Sequence, residues 1–381
     1  MDQFSISDRC EKMSPFIVMD ILERAQELER KGKSIIHLEI GEPDFDTPAK
    51  IIDAAKDALD KGDTHYTHSL GTFALREAIC LYYKKTYSVD ISPDQVIVTS
   101  GTSPALLLAL SVLTNPGDNI ILSNPGYACY KNFITYLNAE LNFVNVYEED
   151  GFQYRPEKIH EQIDNRTRAI LINSPSNPTG NLLADEKMAE IAAMNTIIIS
   201  DEIYHGLTYG AKARSILEFT SRAIVLNGFS KLFAMTGWRL GYLIVPPELV
   251  RPVQKMQQNL FICANSFVQH AAVVALTEQH QEIDHMVKIY NERRQFMIRR
   301  LREIGFGITV EPRGAFYVFA NAKKFRQDSY KFAFELLEKT GVAVTPGIDF
   351  GDNGEGYLRF SYANSIENIS IAMDRLEKYL S

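Results

Sequence analysis

The strongest indication of how this chain folds comes from residues 230–241, SKLFAMTGWRLG. The segment follows a continuous apolar run at 223–226, which is typical of a strand buried on both faces of a sheet. Lys231 and Arg239 in one loop can supply an amine that forms an imine and a guanidinium fork that binds phosphate. Taken alone, the segment is equally compatible with a surface lysine beside a salt-bridged arginine.

Four further apolar runs rich in Ile and Val precede that segment, at 96–98, 120–122, 169–172 and 197–199. Their continuous rather than alternating apolarity predicts strands buried on both faces. Helix-like stretches at 104–113 and 184–194 lie between them and give the alternating order of a mainly parallel sheet. The centre of the chain is therefore predicted to be an α/β domain.

The length of 381 residues predicts two domains rather than one small core. Helical spacing over 278–303, with Gly305 as a stop, leads out of the large domain. A further helix at 329–339 and extended stretches at 315–319 and 357–361 predict a smaller α+β domain. We assign residues 45–280 to the large domain, and residues 1–44 with 281–381 to the small one.

Composition argues against several classes of protein. The formal charge is -8, from 48 acidic and 40 basic residues, and no basic tract favours nucleic acid as a partner. The longest apolar run, 105–113, is too short to span a membrane, and the charged first twenty residues lack the apolar stretch of a secretory signal. Four scattered cysteines without a CxxC pair predict no metal site and a reducing, cytoplasmic location.

Polar or turn-forming residues directly follow each of the five predicted strands. In open α/β sheets, ligands bind at the carboxyl ends of the strands, so these residues predict one composite site. The stretch 100–104, SGTSP, leads from a strand into a helix and suits a phosphate, with Thr102 or Ser103 as the helix cap. A plain helix cap is the alternative interpretation of that stretch.

The segment 230–241 resembles the cofactor-lysine signature of class I pyridoxal-phosphate aminotransferases, the aspartate aminotransferase family of fold type I. Further motifs match the family in order along nearly the whole chain: IGEPDF at 40–45, Tyr66 before Gly71 and LRE at 75–77, NPTG at 177–180, DEIY at 201–204, GAFY at 314–317 and LRFSY at 358–362. The resemblance implies a large domain with a mainly parallel seven-stranded sheet between helices, and a smaller α+β domain.

The resemblance also implies catalytic roles. Lys231 would bind pyridoxal phosphate as a Schiff base and move the proton between the substrate Cα and the cofactor. Asp201 would face the pyridine nitrogen and keep it protonated, rather than act as a solvent-facing loop acid or helix cap. Tyr204 and Asn177 would hydrogen-bond the phenolic oxygen of the ring.

Other residues are expected to hold the cofactor by the same resemblance. Tyr127 would lie against the ring, where many relatives carry tryptophan. Tyr66 would reach the phosphate of a neighbouring subunit, which implies a homodimer. The remaining phosphate ligands would be Ser100, Gly101, Thr102, Ser230 and Arg239. Several relatives have serine three residues before the lysine, whereas this chain has Gly228.

For the substrate, Arg359 resembles the arginine that grips the α-carboxylate in a planar fork. Gly41 would present its backbone to the same carboxylate, and Asn177 would contribute beside it. The bonds Asn177–Pro178 and Asn124–Pro125 are expected to be cis, as the matching bonds are in relatives.

The predicted reaction transfers an amino group from an L-amino acid to a 2-oxo acid by a ping-pong mechanism, with 2-oxoglutarate as the acceptor by analogy. A carbon–sulfur β-lyase is the main alternative within the fold. A regulatory module is the other, although the aminotransferase-like pattern begins close to Met1 and argues against an added DNA-binding domain.

The donor remains open among aspartate, alanine and aromatic amino acids. Some relatives place a lysine where this chain has Ser103, so a cation for a second substrate carboxylate is not evident. Candidates for the wall of the side-chain pocket are Phe16, Ile17 and Tyr66.

Overall fold

The computed structural model describes residues 5–381, and the first four residues of the predicted small domain lie outside it. The strands are β1 (Ile36–His37), β2 (Val96–Thr99), β3 (Asn119–Asn124), β4 (Glu140–Asn145), β5 (Thr167–Asn173), β6 (Ile197–Asp201), β7 (Ala223–Gly228), β8 (Gly241–Ile244), β9 (Tyr317–Asn321), β10 (Val342–Ala343), β11 (Thr345–Pro346) and β12 (Tyr357–Ser361). The α-helices are α1 (Asp8–Lys12), α2 (Ile17–Arg30), α3 (Ala49–Asp60), α4 (Phe73–Tyr87), α5 (Thr102–Leu113), α6 (Cys129–Tyr136), α7 (Pro156–Gln162), α8 (Asp185–Ala192), α9 (Pro247–Leu260), α10 (Ser266–Thr277), α11 (Gln281–Ile304), α12 (Ser329–Thr340) and α13 (Ile366–Leu380).

Seven strands form the larger sheet, in the order β2–β8–β7–β6–β5–β3–β4. Only β8 runs antiparallel to its neighbours; the other pairs are parallel. Successive residues of a strand point to opposite faces, and on β5 both Ile170 and Leu171 are buried, each in a different apolar core. The sheet is therefore covered on both faces, which confirms the predicted α/β class and the meaning of the continuous apolar runs.

A second core is built around smaller sheets. Strands β11, β12 and β9 form an antiparallel sheet, and β1 pairs with β10 in parallel. Residues of α2, such as Ile21 and Leu28, share this core with residues of α11, α12 and α13. The N-terminal segment thus packs with the C-terminal part, whereas the boundaries at 44/45 and 280/281 remain predictions.

The predicted helices are present with small shifts at their ends. The helix predicted at 278–303 spans Gln281–Ile304 and ends at Gly305, which has a φ of 111°. The helices predicted at 329–339 and 184–194 span Ser329–Thr340 and Asp185–Ala192. Both expected cis prolyl bonds, Asn124–Pro125 and Asn177–Pro178, are cis, as is Ser174–Pro175.

The predicted cap of α5 is wrong. Thr102 is already the first residue of the helix, and the preceding Gly101 occupies the cap position without a side-chain hydrogen bond. Gly101 has a φ of 98°, a conformation that glycine adopts readily, so the chain turns from β2 into the helix within two residues.

None of the helices described within residues 5–381 has both the length and the apolar composition of a membrane span.

Candidate active site

A cavity of about 320 Å³ lies at the carboxyl ends of β5, β6 and β7. Its walls also include residues of the N-terminal segment, of β9 and of β12. Ten of the predicted site residues line it: Gly41, Thr102, Tyr127, Asn177, Asp201, Tyr204, Ser230, Lys231, Arg239 and Arg359. The structure therefore brings most of the predicted residues together, as expected for ligands at the carboxyl edge of such a sheet.

The Lys231 amine lies inside the cavity, where it donates a 2.6 Å hydrogen bond to the carbonyl oxygen of Gly41. Burial lowers the pKa of Lys231 to about 8; the positive charges of Arg359 and Arg239 act in the same direction, and Glu42 opposes them. About a tenth of the amine is therefore unprotonated at pH 7, which makes this lysine a usable nucleophile and base.

The Asp201 carboxylate is buried at the end of β6. It accepts hydrogen bonds from the Tyr130 hydroxyl at 2.7 Å and from the backbone N–H of Ile203 at 3.1 Å. Burial raises the pKa of Asp201, and these two hydrogen bonds oppose the rise. A carboxylate fixed in this way can bind a protonated ring nitrogen.

Tyr130 was not predicted as a site residue. It lies on α6 three positions after Tyr127, and the two rings contact each other edge to face with centroids 5.1 Å apart. Tyr127 lies before the first residue of α6, so helical spacing does not relate the two side chains, and the sequence carried no clear signal for Tyr130.

Arg239 and Gly101 meet beside the start of α5. Arg239 has a left-handed φ of 56°, which is uncommon for a residue with a side chain, and it donates to the Thr236 carbonyl oxygen at 2.9 Å. A Cβ atom at Gly101 would lie 2.6 Å from Arg239 Nη2, so only glycine allows this close approach. Gly101 thus positions the guanidinium although it does not line the cavity itself.

Gly228 pairs with Gly241 across β7 and β8, at the two ends of the lysine loop. A Cβ atom at Gly228 would lie 3.0 Å from both the Gly241 Cα and the Leu240 carbonyl oxygen. The serine that several relatives carry at this position would therefore be crowded here. Gly241 in turn packs against Gly101, where an added Cβ would lie 2.8 Å from the carbonyl carbon.

Arg359 is 3% exposed and lines the cavity. Its Nη1 donates to Asn177 Oδ1 at 2.9 Å, and its Nη2 donates to Thr345 Oγ1 at 3.2 Å and to the carbonyl oxygen of Glu39. Its Nε is buried without a hydrogen-bond partner among the described residues. A buried, unsatisfied donor of this kind suits an anionic ligand.

Other predicted residues lie elsewhere. Tyr66 is 82% exposed and, like Ser100, does not line the cavity of its own chain. Of the candidate pocket-wall residues, Phe16 lines the cavity, whereas Ile17 and Tyr66 do not. Phe16 is the N-cap residue of α2, and the backbone N–H of Ile17 donates a 3.1 Å hydrogen bond to the Asp349 carboxylate. The residues of α2 that do line the cavity, Val18, Met19 and Leu22, were not predicted.

Several known proteins are similar to this chain over nearly its whole length. A family model described as "Aminotransferase class I and II" matches residues 33–376. A (5-formylfuran-3-yl)methyl phosphate transaminase of Methanocaldococcus jannaschii is 45% identical, with 99% of this chain and 100% of that protein covered. An aspartate aminotransferase of Pyrococcus horikoshii is 41% identical, with 99% and 98% covered. A crystal structure of a Methanococcus jannaschii protein, described as similar to kynurenine aminotransferases in its active site, matches with a TM-score of 0.92, 44% identity and coverage of 99% and 100%.

Proposed function

The chain belongs to the class I and II aminotransferases, which makes it a pyridoxal-phosphate-dependent transaminase of fold type I, and from this premise we propose its reaction and its residue roles. It transfers an amino group from an L-amino acid to a 2-oxo acid, in two half-reactions that use the same cavity. The observation that carries this proposal is that the Lys231 amine, the Asp201 carboxylate and the Arg359 guanidinium line one cavity.

Pyridoxal phosphate, when bound, supplies an electron-accepting ring that stabilises negative charge at the substrate Cα. Asp201 would hold the ring nitrogen, Tyr204 and Asn177 the ring oxygen, and Tyr127 the face of the ring. Thr102, Ser230 and Arg239 would hold the phosphate, with Ser100 and Gly101 beside them. Two features support this assignment: Arg239 packs on Gly101 without room for a Cβ, and the half-buried Lys231 lies near enough to Arg359 and Arg239 for their charges to lower its pKa.

Lys231 then moves the proton at the substrate Cα, because its lowered pKa lets the amine both accept and return a proton near neutral pH. Arg359 holds the α-carboxylate and so fixes the direction of the Cα–H bond. Gly41 would present its backbone to that carboxylate, and its lack of a side chain makes room for the Tyr317 hydroxyl, since a Cβ there would lie 2.1 Å from the hydroxyl oxygen.

Replacement of Arg359 by lysine is expected to lower kcat/KM for the amino donor by about 100-fold, mainly through KM. Lysine keeps the charge but cannot provide two parallel hydrogen bonds to a carboxylate. Steady-state kinetics measure the change, with Arg375→Lys as the matched control because Arg375 binds the Ser34 carbonyl oxygen on the exposed face of α13. An unchanged KM in Arg359→Lys would refute the carboxylate role.

The rate at which cofactor-free protein attaches pyridoxal phosphate is expected to rise about tenfold per pH unit up to about pH 8 and then to level off. Only the unprotonated amine reacts, and the pKa of Lys231 is lowered to about 8. Stopped-flow absorbance between pH 6 and pH 10 gives the profile, with Lys231→Ala as the blank. A rate that kept rising to pH 10 would mean that Lys231 behaves as an ordinary surface lysine.

The side-chain pocket favours a donor with an apolar side chain. Phe16, Val18, Met19 and Leu22 line one wall of the cavity. The only cationic side chains among the described lining residues are Lys231, Arg239 and Arg359, each of which already has a role. A second carboxylate on the substrate would therefore have no cationic partner among the described lining residues of this chain, and we propose an aliphatic or aromatic L-amino acid rather than aspartate as the preferred donor.

A second candidate acceptor is (5-formylfuran-3-yl)methyl phosphate. The observation that favours it is the 45% identity, over nearly the whole of both chains, with the transaminase named for that compound. This acceptor is an aldehyde rather than a 2-oxo acid, so it differs from 2-oxoglutarate in lacking a carboxylate for Arg359.

The deciding experiment loads the purified protein with pyridoxal phosphate and adds single amino acids without any oxo acid. Conversion of the visible absorption band to that of the pyridoxamine form identifies the donor, and return of the band on adding 2-oxoglutarate or the furan aldehyde phosphate identifies the acceptor. Release of pyruvate and ammonia would favour the β-lyase alternative, and an unresponsive band would favour a binding module.

We further propose that the enzyme is a homodimer in which Tyr66 reaches the phosphate of the partner's cavity. The support is that Tyr66, an aromatic residue, is 82% exposed in the single chain, together with Phe73 and Leu81 nearby in sequence at 58% and 61%. Sedimentation equilibrium is expected to give twice the chain mass of 43.1 kDa. A monomeric mass across the micromolar range would remove this proposal.

A further inference from the structure

Tyr317 lies against three of the proposed site residues, Tyr204, Arg359 and Gly41, but none of the roles proposed above involves it. Its hydroxyl oxygen is 3.0 Å from that of Tyr204, and the Arg359 guanidinium carbon is 4.3 Å from its ring centroid. Its hydroxyl also covers Gly41, where no Cβ would fit. Tyr317 lines the cavity and is only 1% exposed, so these contacts form in a site shielded from water.

Strand pairing explains how Tyr317 reaches Arg359. Strands β9 and β12 are antiparallel, with Tyr317 opposite Ser361 and Phe319 opposite Arg359. Residues two apart on paired strands share a face, so Tyr317 and Arg359 are diagonal neighbours, within reach of long side chains. The guanidinium therefore rests on the face of the Tyr317 ring, an attraction that is strong when both groups are buried.

The role proposed for Tyr204 sets the direction of the hydrogen bond between the two phenols. The 3.0 Å distance allows either hydroxyl to donate, and each hydroxyl carries one proton. Because the proton of Tyr204 is the one proposed to face the cofactor oxygen, Tyr317 donates and the Tyr204 oxygen accepts. The proton of Tyr204 is then left to point into the cavity, and its donor strength is increased by the bond that it accepts.

We propose that Tyr317 is a positioning residue that donates to Tyr204 and supports the Arg359 guanidinium, so that one side chain holds both the group facing the cofactor oxygen and the group facing the substrate carboxylate. The inference rests on the roles proposed above for Tyr204 and Arg359. It extends them by making the two ends of the reaction site depend on a single residue.

Tyr317→Phe tests the hydrogen bond, because it removes the hydroxyl and keeps the ring against Arg359. In the cofactor-loaded enzyme without substrate, we expect the pH midpoint of the visible absorption change to rise by about half a unit to one unit. A weaker bond from Tyr204 stabilises the charged ring oxygen less, which raises the midpoint. KM for the amino donor should change less than about twofold, since Arg359 keeps its support.

Tyr317→Leu tests the contact with Arg359, because it removes the ring as well. The same rise of the midpoint is expected, now with an increase of about tenfold in KM for the amino donor. Tyr209→Phe is the matched control: Tyr209 is a buried tyrosine whose hydroxyl donates to the Ala315 carbonyl oxygen at 2.6 Å, two residues from Tyr317 and outside the cavity lining. It should lower the unfolding temperature without moving the midpoint or KM.

Tyr204→Phe separates the possible failures. If it raises the midpoint and Tyr317→Phe adds nothing in the double variant, the two hydroxyls act in series, as proposed. If it raises the midpoint and Tyr317→Phe alone does not, the inference about Tyr317 is wrong while the role of Tyr204 stands. If neither variant changes the midpoint, the proposed role of Tyr204 and the inference about Tyr317 are both wrong. A downward shift in Tyr317→Phe would mean that Tyr204 donates to Tyr317, which also overturns the inference.

Discussion

Lys231→Ala is expected to lower kcat/KM by at least about 10⁴-fold and to abolish covalent attachment of the cofactor. The variant removes the amine that binds the cofactor and the base that moves the Cα proton, and the cavity has no second lysine among its described lining residues. The measurement pairs steady-state kinetics with the visible spectrum of the loaded protein.

Two further variants make the Lys231 result specific. Lys212→Ala is the control and should leave activity unchanged, since that exposed amine binds the Thr86 carbonyl oxygen and lies over the Tyr87 ring, outside the cavity lining. Small primary amines added to Lys231→Ala should restore part of the rate, because they can take over proton transfer at Cα. Activity of Lys231→Ala within tenfold of the wild type would eliminate the proposed role.

Asp201→Asn is expected to lower kcat by about 100- to 1,000-fold while the cofactor still binds. The substitution keeps the shape of the side chain and the hydrogen bond from the Ile203 N–H, but removes the charge that keeps the ring nitrogen protonated. Tyr130→Phe leaves the carboxylate in place and removes one of its hydrogen bonds, so the expected loss is about tenfold.

The order of these two effects is the test of Asp201. Single-turnover kinetics with a saturating amino donor isolate the proton transfer from substrate binding. If Asp201→Asn and Tyr130→Phe had equal effects, the carboxylate charge would not matter and Asp201 would serve only as a structural acceptor for Tyr130.

The sequence predicted the central sheet well because its strands are covered on both faces, so their apolar runs are continuous. Strand β4 escaped the pattern since its residues ELNFVN are mostly exposed or half-buried at the edge of the sheet. Strand β8 was also not predicted, because it has only four residues and begins with Gly241, a residue type that is typical of loops. The seven-stranded sheet followed from the family resemblance and is confirmed.

The candidate site divides in a similar way. Residues at or just after the ends of strands, such as Asp201 and Lys231, could be assigned to the site from the sequence because parallel strands end at one edge of the sheet. Tyr130 and Tyr317 could not, since their contacts with Asp201 and Arg359 depend on how a helix and a distant strand pack against that edge. The contribution of α2 was anticipated only at Phe16, because the phase of a helix relative to a cavity is a tertiary property.

The pairing of Gly228 with Gly241 closes the lysine loop at a single base, and Gly101 packs against that base. The amine of Lys231 and the guanidinium of Arg239 therefore lie on one loop, and the pairing of Gly228 with Gly241 fixes both ends of that loop. A one-residue insertion between them would shift both groups at once. For anyone redesigning this enzyme, the length of residues 229–240 is therefore as strict a constraint as the identities of Lys231 and Arg239.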